Sequence, residues 1–210
     1  MSYLTQKTVK KNISFSGIAL HGGHNVNLII KPAEPNFGIV FKRTDLKSNN
    51  IIYQSFSNVT NTSLNTTVAN EFGAKVSTIE HLMGALFGLG VDNALIEIDN
   101  QEVPILDGSA KEFIDKIISS GFKISNSAIK VIKINKEIKY SNGERFISIK
   151  PSTLSLEIDY ELKYKNKIIG NQKNKVKVYE DDLQDVYNSR TFCLFEDIES
   201  IKKKGSGKGR

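Results

Sequence analysis

The stretch Val76-Ser77-Thr78-Ile79-Glu80-His81-Leu82-Met83-Gly84-Ala85-Leu86-Phe87-Gly88-Leu89-Gly90-Val91-Asp92-Asn93 constrains this chain most. Its apolar residues Ile79, Leu82, Met83, Leu86 and Phe87 recur at i, i+3, i+4, i+7 and i+8, the spacing of one buried stripe on an amphipathic helix. Ser77 or Thr78 stands where an N-cap belongs, and Gly90 where a helix ends before a strand. Glu80 and His81 are consecutive, so they project about 100° apart on the first turn, beside the stripe rather than on it. A carboxylate next to an imidazole suits metal and general-base chemistry, in which one group holds an ion while the other works on its water. Ser77-Thr78-Ile79-Glu80 equally fits a capping box, in which Glu80 closes the first turn for about 1 kcal/mol. A lone His81 equally fits a structural histidine with its hydrogen bonds satisfied. Spacing alone leaves both readings open.

The length of 210 residues suits one large domain or two small ones. Hydrophobic residues make up 39% and charged residues 25%, an ordinary soluble composition. No apolar run approaches a membrane span, and the N-terminus lacks a signal-peptide layout, which predicts a cytoplasmic protein. The single cysteine, Cys193, excludes an intramolecular disulfide and any Cys-rich zinc site, so a metal here would rest on His and carboxylates. The formal charge of +6 is concentrated at one end: Lys202, Lys203, Lys204, Lys208 and Arg210 place five positives in the last nine residues. No nucleic-acid motif or interleaved aromatic run accompanies them, so no nucleic-acid partner is expected.

Residues 7–46 read as strands, with Val26–Ile30 running to Pro32 and Gly38–Arg43 following a turn around Glu34-Pro35-Asn36. His21-Gly22-Gly23 falls in the connection between the first strands, where His21 is by default an exposed loop histidine. Residues 51–76 are polar, with short β-like runs. Ala94–Asp99 alternates as a strand, Asp107-Gly108 marks a turn, and Ala110–Ser120 reads as a helix. Phe113, Ile114, Ile117 and Ile118 are its predicted inward face, and Gly121 stops it. Two helices on a sheet complete a first α+β domain, residues 1–124. A second α+β domain, residues 125–210, opens with an echo: Val26-Asn27-Leu28-Ile29-Ile30-Lys31-Pro32 parallels Phe146-Ile147-Ser148-Ile149-Lys150-Pro151. Strands are predicted over Leu154–Leu162 and Val176–Tyr179, a helix or turn over Asp182–Asn188, and a helix over Phe195–Ile201.

Four ordered motifs carry a resemblance. Gly17-Ile18-Ala19-Leu20-His21-Gly22-Gly23, the Ser77–Asn93 helix, Val103-Pro104-Ile105-Leu106-Asp107-Gly108-Ser109-Ala110 and Ser189-Arg190-Thr191-Phe192 together resemble the UDP-3-O-acyl-N-acetylglucosamine deacetylases. Those are zinc-dependent hydrolases of lipid A biosynthesis in Gram-negative bacteria. The resemblance implies a two-domain β-α-α-β sandwich, Zn²⁺ as cofactor and a UDP-acyl-aminosugar as substrate. It makes Glu80 the general base and His81 a zinc ligand, with His21 behind the metal. It gives Thr191 the role of hydrogen-bonding the oxyanion, and places Leu20, Phe192, Asp197 and Ile198 at the substrate. Read without it, Thr191 is a strand residue, Phe192 equally good core and Asp107 turn chemistry.

The family pattern continues beyond the Gly/Lys-rich end of this chain, through an H-K-x-x-D-x-x-G-D motif that supplies two further zinc ligands. A later His there acts as the acid. The histidines here are His21, His24 and His81. The expectation is therefore a C-terminally truncated chain with an incomplete second domain, inactive alone. The alternative is a non-catalytic remnant that binds a nucleotide-sugar or a protein partner. Asn166-Lys167 also stand where the family usually has His-Pro.

Overall fold

The computed structural model describes residues 5–152, 156–203, 205 and 207–209. In chain order the elements are β1 (Thr5–Val9), β2 (Ile13–Ile18), β3 (Asn25–Pro32), β4 (Ile39–Arg43), β5 (Ile51–Tyr53), β6 (Val59–Asn61), β7 (Thr67–Ala69) and β8 (Lys75–Val76). Then come α1 (Glu80–Gly88), β9 (Ala94–Ile98), α2 (Lys111–Ser120), β10 (Phe122–Ala128), β11 (Ile138–Asn142) and β12 (Arg145–Ile149). The last are β13 (Glu157–Lys163), β14 (Asn171–Lys177), α3 (Gln184–Asn188) and α4 (Ile198–Lys203). The result is a mixed α+β chain, richer in sheet than in helix.

Two compact units emerge, one running to Ile129 and taking in the part from Val186 onward, the other Lys130–Asp185. The boundary expected after residue 124 lies inside β10, which pairs antiparallel with β1 and so stays with the first unit.

In the first unit, one sheet has the order β2-β3-β9-β4-β5, antiparallel except for the β4–β9 pair. Alternation decides its faces. Val26, Leu28 and Ile30 of β3 point inward, as do Ala94, Ile96 and Ile98 of β9, and register sets Leu28 opposite Ile98 and Ile30 opposite Ile96. On the other face, Lys31 and Lys42 reach Glu97 at 2.6 and 3.3 Å. The hydrogen bond from Lys31 holds the Glu97 carboxyl below its usual range, against the opposing effect of burial. The core gathers these strands with Leu82, Ala85 and Leu86 of α1 and Phe113, Ile114 and Ile117 of α2. Phe15 and Phe113 meet with their rings tilted by 48°, 4.9 Å between centroids. Each fully buried large aliphatic contributes about 1.5–3 kcal/mol.

Both helices turn differently from the sequence expectation. Ile118 and Phe87 are half exposed, while Ser120 and Ala85 are buried in their stead. The α1 stripe runs through Ile79, Leu82, Ala85 and Leu86, with Met83 only partly buried. Neither Ser77 nor Thr78 caps α1: Ile79 occupies the N-cap position and makes no side-chain cap bond. The Ser77 hydroxyl donates to the Gln101 carbonyl, and the Thr78 hydroxyl donates to Glu102. The C-terminus does end as expected. Gly90 takes φ +66, Val91 N–H donates to the Leu86 carbonyl and Gly90 N–H to that of Phe87, the paired bonds of a Schellman motif.

The second unit holds two hairpins, β11–β12 and β13–β14. Strand β14 starts earlier than the predicted Val176–Tyr179 strand. Leu154, the predicted start of the strand before it, lies outside the described residues. No described helix is long and apolar enough to cross a membrane.

Candidate functional site

The entry to α1 is held from three directions. Ser77 N–H donates to the Gln101 carbonyl at 2.9 Å and Val103 N–H to the Ser77 carbonyl at 3.0 Å, pinning the chain before the helix to the segment before Pro104. Thr78 sits at φ +56, a conformation rare for a β-branched residue. Glu80 begins the helix, exposed, and its Oε2 accepts from the Thr66 N–H at 3.0 Å. Glu80 therefore braces the loop before β7 rather than closing a capping box. A carboxylate at the first turn is also favoured by the positive end of the helix dipole. His81 follows, half-buried.

Leu20 and His21 form the turn after β2. The N–H groups of His21 and Gly22 donate to Glu102, both at 2.8 Å. Both ring nitrogens of His21 are buried without a hydrogen-bond partner among the described residues. Leu20 is half-buried, and its carbonyl accepts from Gly209 N–H at 3.0 Å. A polar cavity of about 370 Å³ opens here, with His21, His24, Ser77, Gln101, Glu102 and Lys208 in its wall. Glu80, His81 and Thr191 are not part of that wall.

The Ser-Arg-Thr-Phe segment docks on the Asp107-Gly108 turn. Thr191 N–H donates to the Gly108 carbonyl at 2.8 Å, while Arg190 reaches the Asp107 carbonyl and Oδ2 at 3.1 and 3.2 Å. Asp107 divides its oxygens: Oδ1 accepts from the Ser109 N–H and hydroxyl, and Oδ2 faces Arg190. These bonds, with Ser109 first and Arg190 after, hold the Asp107 carboxyl below its usual range despite partial burial. The turn reading of Asp107 is thus right for one oxygen, while the other secures the irregular segment that carries Arg190 and Thr191. Tyr187 lies over the end of α1, where a Cβ on Gly88 would come within 2.7 Å of its hydroxyl. Thr191 and Phe192 are exposed, Asp197 lies exposed in a 3-10 turn, and Ile198 is half-buried at the start of α4. No hydrogen bond joins Thr191 to Glu80 or His81 among the described residues.

A catalytic zinc commonly takes three protein ligands and keeps a fourth position open. Among the described residues no three His, Cys, Asp or Glu side chains come together as a metal site. Glu80 is engaged with Thr66, and His81 belongs to no such group of three among the described residues. The residues present do not by themselves fit that ion.

The helix that opens on Glu-His, the Leu-His turn and the docked Arg-Thr segment all lie within the stretch matched by a family of known proteins. The family model described as UDP-3-O-acyl N-acetylglycosamine deacetylase matches residues 6–210. The chain belongs to that family. It is 37% identical over 205 residues to the UDP-3-O-acyl-N-acetylglucosamine deacetylase of Syntrophus aciditrophicus (strain SB), covering 97% of this chain and 64% of the relative. The enzyme of the same name from Histophilus somni (strain 129Pt) is 35% identical over 209 residues, 98% of this chain and 68% of the relative. That of Shewanella pealeana is 38% identical over 200 residues, 94% and 65%. The chain thus spans 64–68% of the length of these relatives.

Sequence reasoning missed Glu102 and the second role of Asp107. Glu102 gave no signal, because its donors His21 and Gly22 lie about eighty residues away in the chain. Asp107 stood in a motif of its own and read as turn chemistry, and its pairing with Arg190 spans 83 residues of chain.

Proposed function

We propose that the protein to which these residues belong hydrolyses the N-acetyl group of UDP-3-O-acyl-N-acetylglucosamine, an early committed step of lipid A biosynthesis in the cytoplasm of a Gram-negative bacterium. The observation that carries this reading is the family match along residues 6–210, with Glu80-His81 opening α1. In it the chain is the larger part of a two-domain β-α-α-β sandwich. The Glu80 carboxylate takes a proton from the attacking water. The Thr191 hydroxyl donates to the oxygen that gains charge as the amide carbon becomes tetrahedral. Leu20, Phe192, Asp197 and Ile198 line the substrate, and His21 stands behind the site.

Zinc is the cofactor in this reading, and His81 is this chain's imidazole for it. Among the described residues no three-donor cluster forms, and under this proposal the 210 residues alone are inactive. The same observation favours a second reading, a remnant that binds a nucleotide-sugar or a partner without turnover.

A graft separates the two. Residues 6–210 replace the matching stretch of the Syntrophus aciditrophicus relative, and acetate release from UDP-3-O-acyl-N-acetylglucosamine is measured. The graft is expected to deacetylate, and Glu80→Ala to slow it by about 10²–10⁴-fold. A folded graft that releases no acetate overturns the enzymatic reading in favour of the remnant.

A further inference from the structure

Glu102 is a buried carboxylate, 4% exposed, and no ion pair reaches it among the described residues. Its charge is met by neutral donors instead. Oε1 accepts from His21 N–H at 2.8 Å and from the Thr78 hydroxyl at 3.0 Å, and Oε2 accepts from Gly22 N–H at 2.8 Å. A buried charge without partners is costly, so these three donors cannot move away cheaply. Two of them belong to the turn after β2. The third lies two residues before Glu80.

Thr78 shows what that bond accomplishes. At φ +56 it holds a backbone conformation that side chains branched at Cβ rarely adopt, and such conformations persist where the surroundings over-determine them. The Glu102 bond to its hydroxyl and the two main-chain bonds of Ser77 are that constraint. Directly after Thr78 the chain enters α1, so the torsions held there fix the direction in which Glu80 and His81 leave the first turn. His21 shows the same dependence. Its ring nitrogens make no hydrogen bond among the described residues, and of its main-chain bonds the one to Glu102, at 2.8 Å, is shorter than that from Lys208 N–H to its carbonyl, at 3.4 Å. Space is kept for this approach, since a Cβ on Gly22 would lie 3.3 Å from Glu102 Oε2.

The geometry points to Glu102 as a positioning residue: through Thr78 it sets the aim of Glu80 and His81, and through His21 and Gly22 it holds the Leu20-His21 turn at the same point. This rests on the roles proposed above for Glu80 and His81.

The test uses the 210-residue chain as Glu102→Gln, Thr78→Val and Thr78→Ser, compared with the parent by amide ¹H–¹⁵N spectra. Glu102→Gln turns one acceptor into a donor facing donors, Thr78→Val removes the hydroxyl at constant shape, and Thr78→Ser keeps it. Glu102→Gln and Thr78→Val are expected to displace the amide signals of Thr66, Glu80 and His81. Thr78→Ser returns them, and the signals of Leu28 and Ile96 stay in place throughout. Exchange of the His21 and Gly22 amides is expected to quicken at least about tenfold in Glu102→Gln. A folded Glu102→Gln with Thr66, Glu80 and His81 unmoved overturns the proposal; if that variant does not fold, Thr78→Val decides by the same signals. In the graft, Glu102→Gln and Thr78→Val lower kcat about 10–100-fold with KM held, and Thr78→Ser restores it. An inactive unsubstituted graft defeats the enzymatic reading, while the amide signals still decide Glu102.

Discussion

The chain contains nearly the same strand twice, with opposite outcomes. Val26-Asn27-Leu28-Ile29-Ile30-Lys31-Pro32 forms β3, flanked on both sides, and its Val26, Leu28 and Ile30 are completely buried. Phe146-Ile147-Ser148-Ile149-Lys150-Pro151 supplies β12, one arm of a two-stranded hairpin, where Ile147 is 70% and Ile149 46% exposed. Alternation and the Lys-Pro stop are enough to make a strand in both places. Burial requires a second layer, and only the first unit has α1 and α2 in its core.

The second unit is amphipathic all the same. Register puts Ile138, Tyr140, Ile147 and Ile149 on one face of β11–β12, and Ile158, Tyr160, Leu162 and Val176 on one face of β13–β14. The opposite face of β13–β14 carries Glu157 and Asp159 against Lys175 and Lys173, at 2.9 and 3.5 Å. An isolated hairpin is marginal in water. The charge ladder specifies register more than it stabilises.

The largest effect expected from this contrast is in the core. Phe113→Ala should cost about 3–5 kcal/mol in denaturant unfolding, as a fully buried aromatic leaves a cavity. Ile147→Ala on the exposed hairpin should cost about 0.5 kcal/mol or less by the same measurement. Equal costs would break the comparison. Asp107→Asn is expected to cost about 0.2–1 kcal/mol and to speed exchange of the Thr191 amide, because the pair with Arg190 is largely exposed. The pH dependence follows from the lowered Asp107 carboxyl. Its contribution is complete above the ordinary carboxyl value of about 4, and is lost as pH falls through the depressed one. Docking of Thr191, followed by its amide signal, should therefore persist at pH 5 and loosen only in strong acid. Smallest of all, Lys175→Gln on β14 should leave the unfolding midpoint unchanged, since Glu157 and Lys175 are in solvent.

Strands β3, β4 and β9, the turn at Gly90 and the family motifs were legible because each is written in neighbouring residues. Three things were not. The α1 face turned on Ala85, too small to register in a count of large apolar residues, while Phe87 faced out. Thr78 matched an N-cap pattern, but its hydroxyl serves Glu102, a partner 24 residues on. The motif ending in Asp92-Asn93 gave no hint of its packing role. Asn93 donates to Gln6 and Asp92 accepts from Lys7 N–H, at 2.9 and 2.7 Å, bonds that tie β1 into the first unit. In the last two cases a partner distant in sequence outranked the local signal.

Under the proposed function, Glu80 and His81 are one arm of a metal site that the described residues do not complete. Zinc content of the purified chain, measured beside His81→Ala, tests it most directly. The account predicts no zinc in the parent above the level of the variant. About one zinc per chain, lost in His81→Ala, would contradict it and show that this chain assembles the missing ligands itself.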